Sequence, residues 1–154
     1  MRNYTLRVEM VNRFSLIRII SKIHGLIYRI SKGRIGKNLG SVEILLLTTK
    51  GRRSGKKRTV PLTAIPYGQK YILVASFGGS PVHPAWLMNI QHNPIVSIRV
   101  GSSDRKAEAS IVESTEPQYA ELWEKAIATY AGYDAYKQAT SRHIPLAVIT
   151  VQEG

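Results

Sequence analysis

The residues best suited to chemistry lie in one short stretch, Lys50-Gly51-Arg52-Arg53-Ser54-Gly55-Lys56-Lys57-Arg58-Thr59. Six cations fall within nine residues, and like charges this close repel unless a counter-charge binds among them. Gly51 and Gly55 permit positive φ and let the backbone approach a ligand closely. Successive amides in such a turn can cradle an anion, and arginine offers a planar fork that fits phosphate or carboxylate oxygens. The stretch is therefore a candidate site for a phosphorylated or otherwise anionic ligand. It is not the phosphate loop of triphosphate hydrolases. That motif places four residues between its glycines and Ser or Thr after the lysine. Here three residues separate the glycines, and Lys57 follows Lys56.

Other reactive groups are sparse. The chain has no cysteine, which excludes disulfides, thiolate nucleophiles and cysteine-based metal sites. His24, His83, His92 and His143 lack metal-ligand spacing, so no metal site is expected. Glu9 and Glu43 are the only acids before residue 104, so the carboxylate pairs of glycosidases and proteases are missing. Ser76-Phe77-Gly78-Gly79-Ser80-Pro81 has no Gly-x-Ser-x-Gly nucleophile elbow. Trp86 and Asn89 are three apart and would share a helix face. Tyr130, Tyr133 and Tyr136 also repeat at three, and as a helical stripe they would line an aromatic pocket with hydroxyls to spare. An anion grip without a strong nucleophile or base leaves the chemistry to a cofactor.

The elements that must position these groups follow from pattern. Val42 to Thr49 is a β-favouring apolar run and predicts a buried strand. Arg58 to Pro66 predicts a second strand, at an edge or bent because of Pro61 and Pro66. Tyr67-Gly68-Gln69 predicts a hairpin turn into a third strand over 71–76. A short helix is expected from Pro84 to His92, and strands over 95–100 and 106–113. A helix is expected over 116–129, led by a Ser114/Thr115 cap. Tyr130 to Tyr136 continues into another short helix, and a strand over 146–151 closes the chain. Six short strands without a helix after each do not build a doubly wound parallel sheet. A mainly β antiparallel barrel with peripheral helices is expected.

Length and charge bound the rest. One domain is expected from 154 residues. The net charge of +12 is concentrated at the front: residues 1–60 hold 15 Lys/Arg against 2 acids, and residues 61–154 hold 7 against 8. Leu16, Ile19, Ile20, Ile23, Leu26, Ile27 and Ile30 form one apolar stripe at helical period, with Arg18, Lys22 and Arg29 on another face. Residues 1–40 thus read as a basic amphipathic helix and linker, and residues 41–154 as the barrel domain. Such a helix can lie on an anionic membrane surface. No segment reads as a signal peptide or membrane span, so the expected place is the cytoplasm, with room for attachment to the inner membrane face.

Several separated motifs then match one known family. Leu46-Leu47-Thr48-Thr49-Lys50-Gly51-Arg52-Arg53-Ser54-Gly55 with Arg58 and Pro61-Leu62 come first. Ala75-Ser76-Phe77-Gly78-Gly79, His83-Pro84-Ala85-Trp86 with Asn89, and Asn93-Pro94 follow. Tyr130, Tyr133, Tyr136 and Arg142-His143-Ile144-Pro145 complete the set. Over about residues 15–150 the chain closely resembles the deazaflavin-dependent nitroreductase and quinone reductase family. The resemblance implies a split β-barrel that binds reduced coenzyme F420 and passes hydride to a menaquinone-like quinone or a nitroaromatic acceptor. It implies that Arg52, Arg53, Ser54, Arg58, Thr59, Val60, Pro61, Leu62 and Thr63 hold the phosphate and neighbouring groups. It implies that Val74, Ala75, Ser76, Phe77, Ala85, Trp86, Leu87, Met88 and Asn89 line the deazaflavin, with Tyr133 closing the pocket. Ser76, Tyr130, Tyr133 and Tyr136 are the candidates to bind the acceptor oxygen or donate a proton. Phe77 stands where some members carry lysine, and Leu87 where some carry an aromatic residue. Flavin-using relatives share the barrel, so FMN is the alternative cofactor. A basic nucleic-acid-binding barrel is the alternative of another class. Its cations would have to track a groove with stacking aromatics, and only Tyr67 and Tyr71 offer these; no nucleic-acid partner is expected.

Overall fold

The computed structural model describes residues 38–39 and 42–152 of the chain. The amphipathic helix expected in residues 10–30 lies outside the described residues. The sheet begins with β1, Asn38–Leu39, a two-residue strand inside the stretch expected to be linker. The other strands are β2 (Val42–Lys50), β3 (Lys57–Thr63), β4 (Ile65–Tyr67), β5 (Lys70–Val74), β6 (Ile95–Val100), β7 (Ser103–Val112) and β8 (Leu146–Val151). Three α-helices lie between them: α1 (Ala85–His92), α2 (Tyr119–Thr129) and α3 (Gly132–Gln138).

Every strand pair is antiparallel. The hydrogen-bonded order runs β3-β2-β6-β7-β8-β5-β4, with β1 beside the start of β2. The two ends of this order, β3 and β4, are one stretch of chain separated by Ala64. The barrel is thus closed by chain continuity and not by a ladder. Pro61 fits because, among the described residues, β3 pairs only with β2 and leaves one edge open; a mid-sheet proline would lack a donor. The strand expected from Arg58 to Pro66 is both an edge and a bend.

Alternation divides the apolar residues between two cores. Leu45, Leu47, Leu73, Ala75, Val96, Ile98, Ala107 and Ile149 fill the barrel, with Trp86, Leu87 and Ile90 of α1 inserted among them. Ile65, Ile72, Val74, Val112, Leu146 and Val148 face the other way and pack on Tyr119, Leu122, Trp123 and Ala126 of α2 and Tyr133 of α3. Each fully buried aliphatic side chain contributes about 1.5–3 kcal/mol relative to exposure.

Two expectations need correction. The helix over 116–129 starts later, at Tyr119, and Ser114/Thr115 do not cap it. Turns occupy 114–118, where the Glu116 carboxylate accepts from the Glu113 N–H at 2.8 Å. The local side-chain bond competes with helix formation and wins. Second, the three tyrosines do not form a helical stripe. Tyr130 precedes α3 with extended backbone (φ −148, ψ 103), and its ring folds back over Gly132.

Candidate functional site

The β2–β3 connection is the basic turn. Its ends are tied by Gly51 N–H to Lys56 C=O at 2.9 Å and Gly55 N–H to Gly51 C=O at 2.7 Å. Gly55 takes φ +66, and a Cβ on Gly51 would come within 2.9 Å of Ser54 Oγ. Both glycines are therefore required by the turn itself. Ser54 Oγ accepts from Lys56 N–H at 3.4 Å, and Arg58 Nη2 lies 3.5 Å from it. Arg52, Arg53, Lys56, Lys57 and Arg58 are all exposed. Among the described residues, none of these or Lys50 has an acidic partner; the ion pairs there are Arg99–Asp104 and Lys125–Glu121. A cleft of about 180 Å³ lies beside the turn, lined by Lys50, Gly51, Arg52, Gly55, His92 and Asn93. A larger groove of about 390 Å³ runs along Ile90, Pro94, Ala109 and Ile111, holds none of these cations, and is not the anion site.

The turn is anchored from the barrel. Asn89 of α1 is buried; its Oδ1 accepts from Arg52 N–H at 3.1 Å and its Nδ2 donates to Thr49 Oγ1 at 3.0 Å. Thr49 is buried as well. Asn89, expected to line the ring site, also fixes the turn to α1. Thr49 was not singled out, although a threonine ending an otherwise apolar strand is a sign of a buried polar partner.

β3 splits the residues expected as one run. Val60 and Leu62 pack toward the barrel core, while Thr59 Oγ1 meets Thr48 Oγ1 at 2.8 Å on the opposite face. Pro61 and Thr63 share the face of Thr59 by alternation. Val74 and Leu87 are packing residues: Val74 belongs to the core under α2, and Leu87 is fully enclosed in the barrel. The Ala75 side chain is enclosed in the barrel core as well. Trp86 is also largely buried, while Ala85 is exposed and Met88 half-buried.

β5 ends at Val74, and the chain reverses through Ala75 to Ser80. Phe77, Gly78 and Gly79 take φ of 46, 62 and 76 in succession. Left-handed backbone is strained for phenylalanine and calls for an outside restraint. Arg142 supplies one, donating to Ala75 C=O at 3.0 Å, Ser76 C=O at 2.8 Å and Ser80 C=O at 2.8 Å. It also reaches His143 C=O at 3.1 Å and His83 Nδ1 at 3.2 Å. An arginine only donates, so His83 accepts as the neutral ring. The His83 pKa is lowered below 6.5 first by burial and then by Arg142, against Glu113, which raises it. Burial likewise lowers that of Arg142. The role of Arg142 was not foreseen, although it is one of only seven cations after residue 60.

Ser76 is buried, and its hydroxyl has no hydrogen bond among the described residues. A buried hydroxyl without a protein partner suits a ligand oxygen. The loop carrying it packs on α3: a Cβ on Gly79 would lie 2.8 Å from Ala139 Cβ and 3.0 Å from Tyr136 C=O. The tyrosines are thereby brought to the same side as the loop. Tyr130 stands edge-on to Tyr133 at 5.2 Å between centroids, and the Tyr130 and Tyr136 hydroxyls are 3.4 Å apart. Tyr133 is buried, and burial pushes its pKa up to about 12; a hydrogen bond with Thr63 opposes this and Tyr130 adds to it. Tyr133 therefore stays protonated at ordinary pH.

Comparison with known proteins agrees with this arrangement. Residues 20–151 match the F420H(2)-dependent quinone reductase family. The chain is 40% identical over 131 residues to an F420H(2)-dependent quinone reductase of Mycobacterium tuberculosis, covering 84% of this chain and 88% of that one. Among solved structures, an F420-H2 dependent reductase, FDR-A, aligns with TM-score 0.61 and 38% identity over 69% of this chain and 92% of its own. The heme storage protein HutZ of Vibrio cholerae shares the fold alone, at TM-score 0.57 and 17% identity over 72% of this chain and 82% of its own. With the family model matched over most of the chain and a relative of this identity and coverage, the chain belongs to the F420H(2)-dependent quinone reductase family.

Proposed function

We propose that the protein reduces a quinone with hydride taken from reduced coenzyme F420, and that nitroaromatics can replace the quinone. The observation that supports this most directly is the exposed basic turn, which has no acidic partner among the described residues and is fixed to α1 by Asn89. F420 carries a phosphate and an oligoglutamate tail, and these give the turn the counter-charge it lacks. The coenzyme supplies the hydride; the chain supplies position, dryness and protons.

Arg52, Arg53, Ser54 and Arg58 hold the anionic end. Arg53 and Arg58 can each offer a planar fork, and Ser54 Oγ steadies the turn between them. Ser76, Phe77, Ala85, the open edge of Trp86 and Met88 border the ring. Ser76 Oγ donates to a ligand oxygen and so gains the partner it lacks. Tyr133 keeps its proton, and its ring closes the pocket over the barrel edge. Tyr130 and Tyr136, joined through their hydroxyls, face the acceptor and can donate the proton that must follow hydride transfer. Holding donor and acceptor in register is where most of the rate enhancement arises.

An absorbance titration tests the whole reading. The protein is mixed with reduced coenzyme and a menaquinone analogue, and reappearance of the oxidised deazaflavin band is followed. Oxidation that depends on both protein and quinone is expected. No binding of the coenzyme at micromolar protein sinks the proposal.

A further inference from the structure

Arg142 spends all five guanidinium N–H donors on protein acceptors. Three of the four carbonyls it reaches belong to the Ala75–Ser80 loop. Ala75 and Ser76 are consecutive, yet both carbonyls meet the same Nη2. In a strand, consecutive carbonyls point to opposite sides. Both can meet one nitrogen only where the chain has left the strand, as Ser76 does with φ −69 and ψ −39. The left-handed Phe77 follows at once. A planar, fully bonded cation therefore stands at the reversal that delivers the Ser76 hydroxyl, which has no partner among the described residues.

We propose that Arg142 is a positioning residue for hydride transfer: it sets the Ala75–Phe77 backbone, and through it Ser76, against the ring of the bound deazaflavin and its acceptor. This rests on the coenzyme reading above. Arg142 itself touches neither the basic turn nor the tyrosines. The anionic anchor and the loop geometry are therefore separable, and loss of Arg142 should affect the rate more than the affinity. Lysine cannot replace it, since an ammonium lacks the planar fork that reaches several carbonyls at once.

The test uses full-length Arg142→Ala and Arg142→Lys. Coenzyme Kd is measured by fluorescence titration and the hydride-transfer rate in single turnover. The Kd is expected to stay within about threefold of wild type, because the anionic anchor at the basic turn is not in contact with Arg142 and acts independently of it. The rate is expected to fall about 100-fold in both variants, the effect of a misplacement near 1 Å. Guanidinium added to Arg142→Ala should recover part of the rate. In the ligand-free proteins, amides of residues 75–80 should exchange hydrogen faster while β2, β6 and β8 keep wild-type protection. Full activity in Arg142→Lys, or unchanged exchange in 75–80, overturns the proposal. Should Arg142→Ala fail to fold, Arg142→Lys carries the same comparisons. If wild-type protein binds no coenzyme, the coenzyme reading fails and the positioning role in hydride transfer fails with it; the exchange experiment still decides whether Arg142 orders the loop.

Discussion

Arg53 and Arg58 stand in solvent at the tip and exit of the basic turn, where no carboxylate among the described residues satisfies them. Each can lose its charge with little effect on the fold, so the consequence should fall on ligand binding. Arg53→Ala and Arg58→Ala are each expected to raise the coenzyme Kd about tenfold, the loss of one charge-assisted contact. Fluorescence titration checks this, and unchanged affinity removes the anion-holding role. Asn89 differs because it is buried and serves two partners. Asn89→Leu orphans Arg52 N–H and Thr49 Oγ1, and should cost about 1–3 kcal/mol of stability. Asn89→Asp keeps an acceptor for Arg52, and Thr49 can turn its hydroxyl to donate, so it should lie nearer wild type. Thermal unfolding of the pair decides: equal losses would mean that the bonds to Asn89 do not matter.

The elements bring the separate motifs together through a few close contacts. The Ala75–Ser80 loop meets α3 only because Gly79 has no Cβ, and Tyr130 folds onto Gly132 for the same reason. The loop is latched by Arg142 to neutral His83. Folding lowers the His83 pKa below its unfolded value of 6.5, so below that pH the unfolded chain takes up more protons. Stability from this latch is complete above pH 6.5 and is lost as pH falls through the lowered folded value. The charged ring would face Arg142, with Glu113 the acid that opposes the loss. Denaturant unfolding as a function of pH should show a steeper decline below pH 6.5 in wild type than in His83→Gln. Parallel declines would show that the latch is not coupled to His83. Elements were legible where one rule governs them. β6 and β8 occupy the expected 95–100 and 146–151, because alternation and strand length agree there. The start of α2 was missed because Glu116 could bond either to its own turn or into a helix, and sequence does not rank the two.

For the whole molecule, the charge asymmetry has two locations. The turn accounts for six cations, and residues 1–35 carry eight more against a single acid, Glu9. Among the described residues no helix is long and apolar enough to cross a membrane. A lipid quinone must nevertheless be met at a bilayer. The proposed role for the amphipathic stripe of residues 16–30 is to hold the protein on an anionic surface, where each Lys or Arg contributes about 1 kcal/mol. Full-length protein should co-sediment with anionic phospholipid vesicles at low salt, and protein lacking residues 1–35 should not. Equal partitioning ends the membrane role.

The sequence by itself pointed to a site for an anion and to the turn that would hold it. Six cations within nine residues repel in any fold, and the spacing of the two glycines among them fails the triphosphate motif whatever surrounds them. It also determined the antiparallel barrel, because strand pattern and turn residues are local properties. The tertiary structure decided which residues can reach a ligand. The side chains of Val74, Ala75 and Leu87 pack in the cores, Asn89 became the anchor of the turn, and β3 divided its residues between two faces. It also joined Arg142 to a loop 66 residues away in sequence. Burial and long-range hydrogen bonds depend on what the barrel closes around, and no local pattern carries that information.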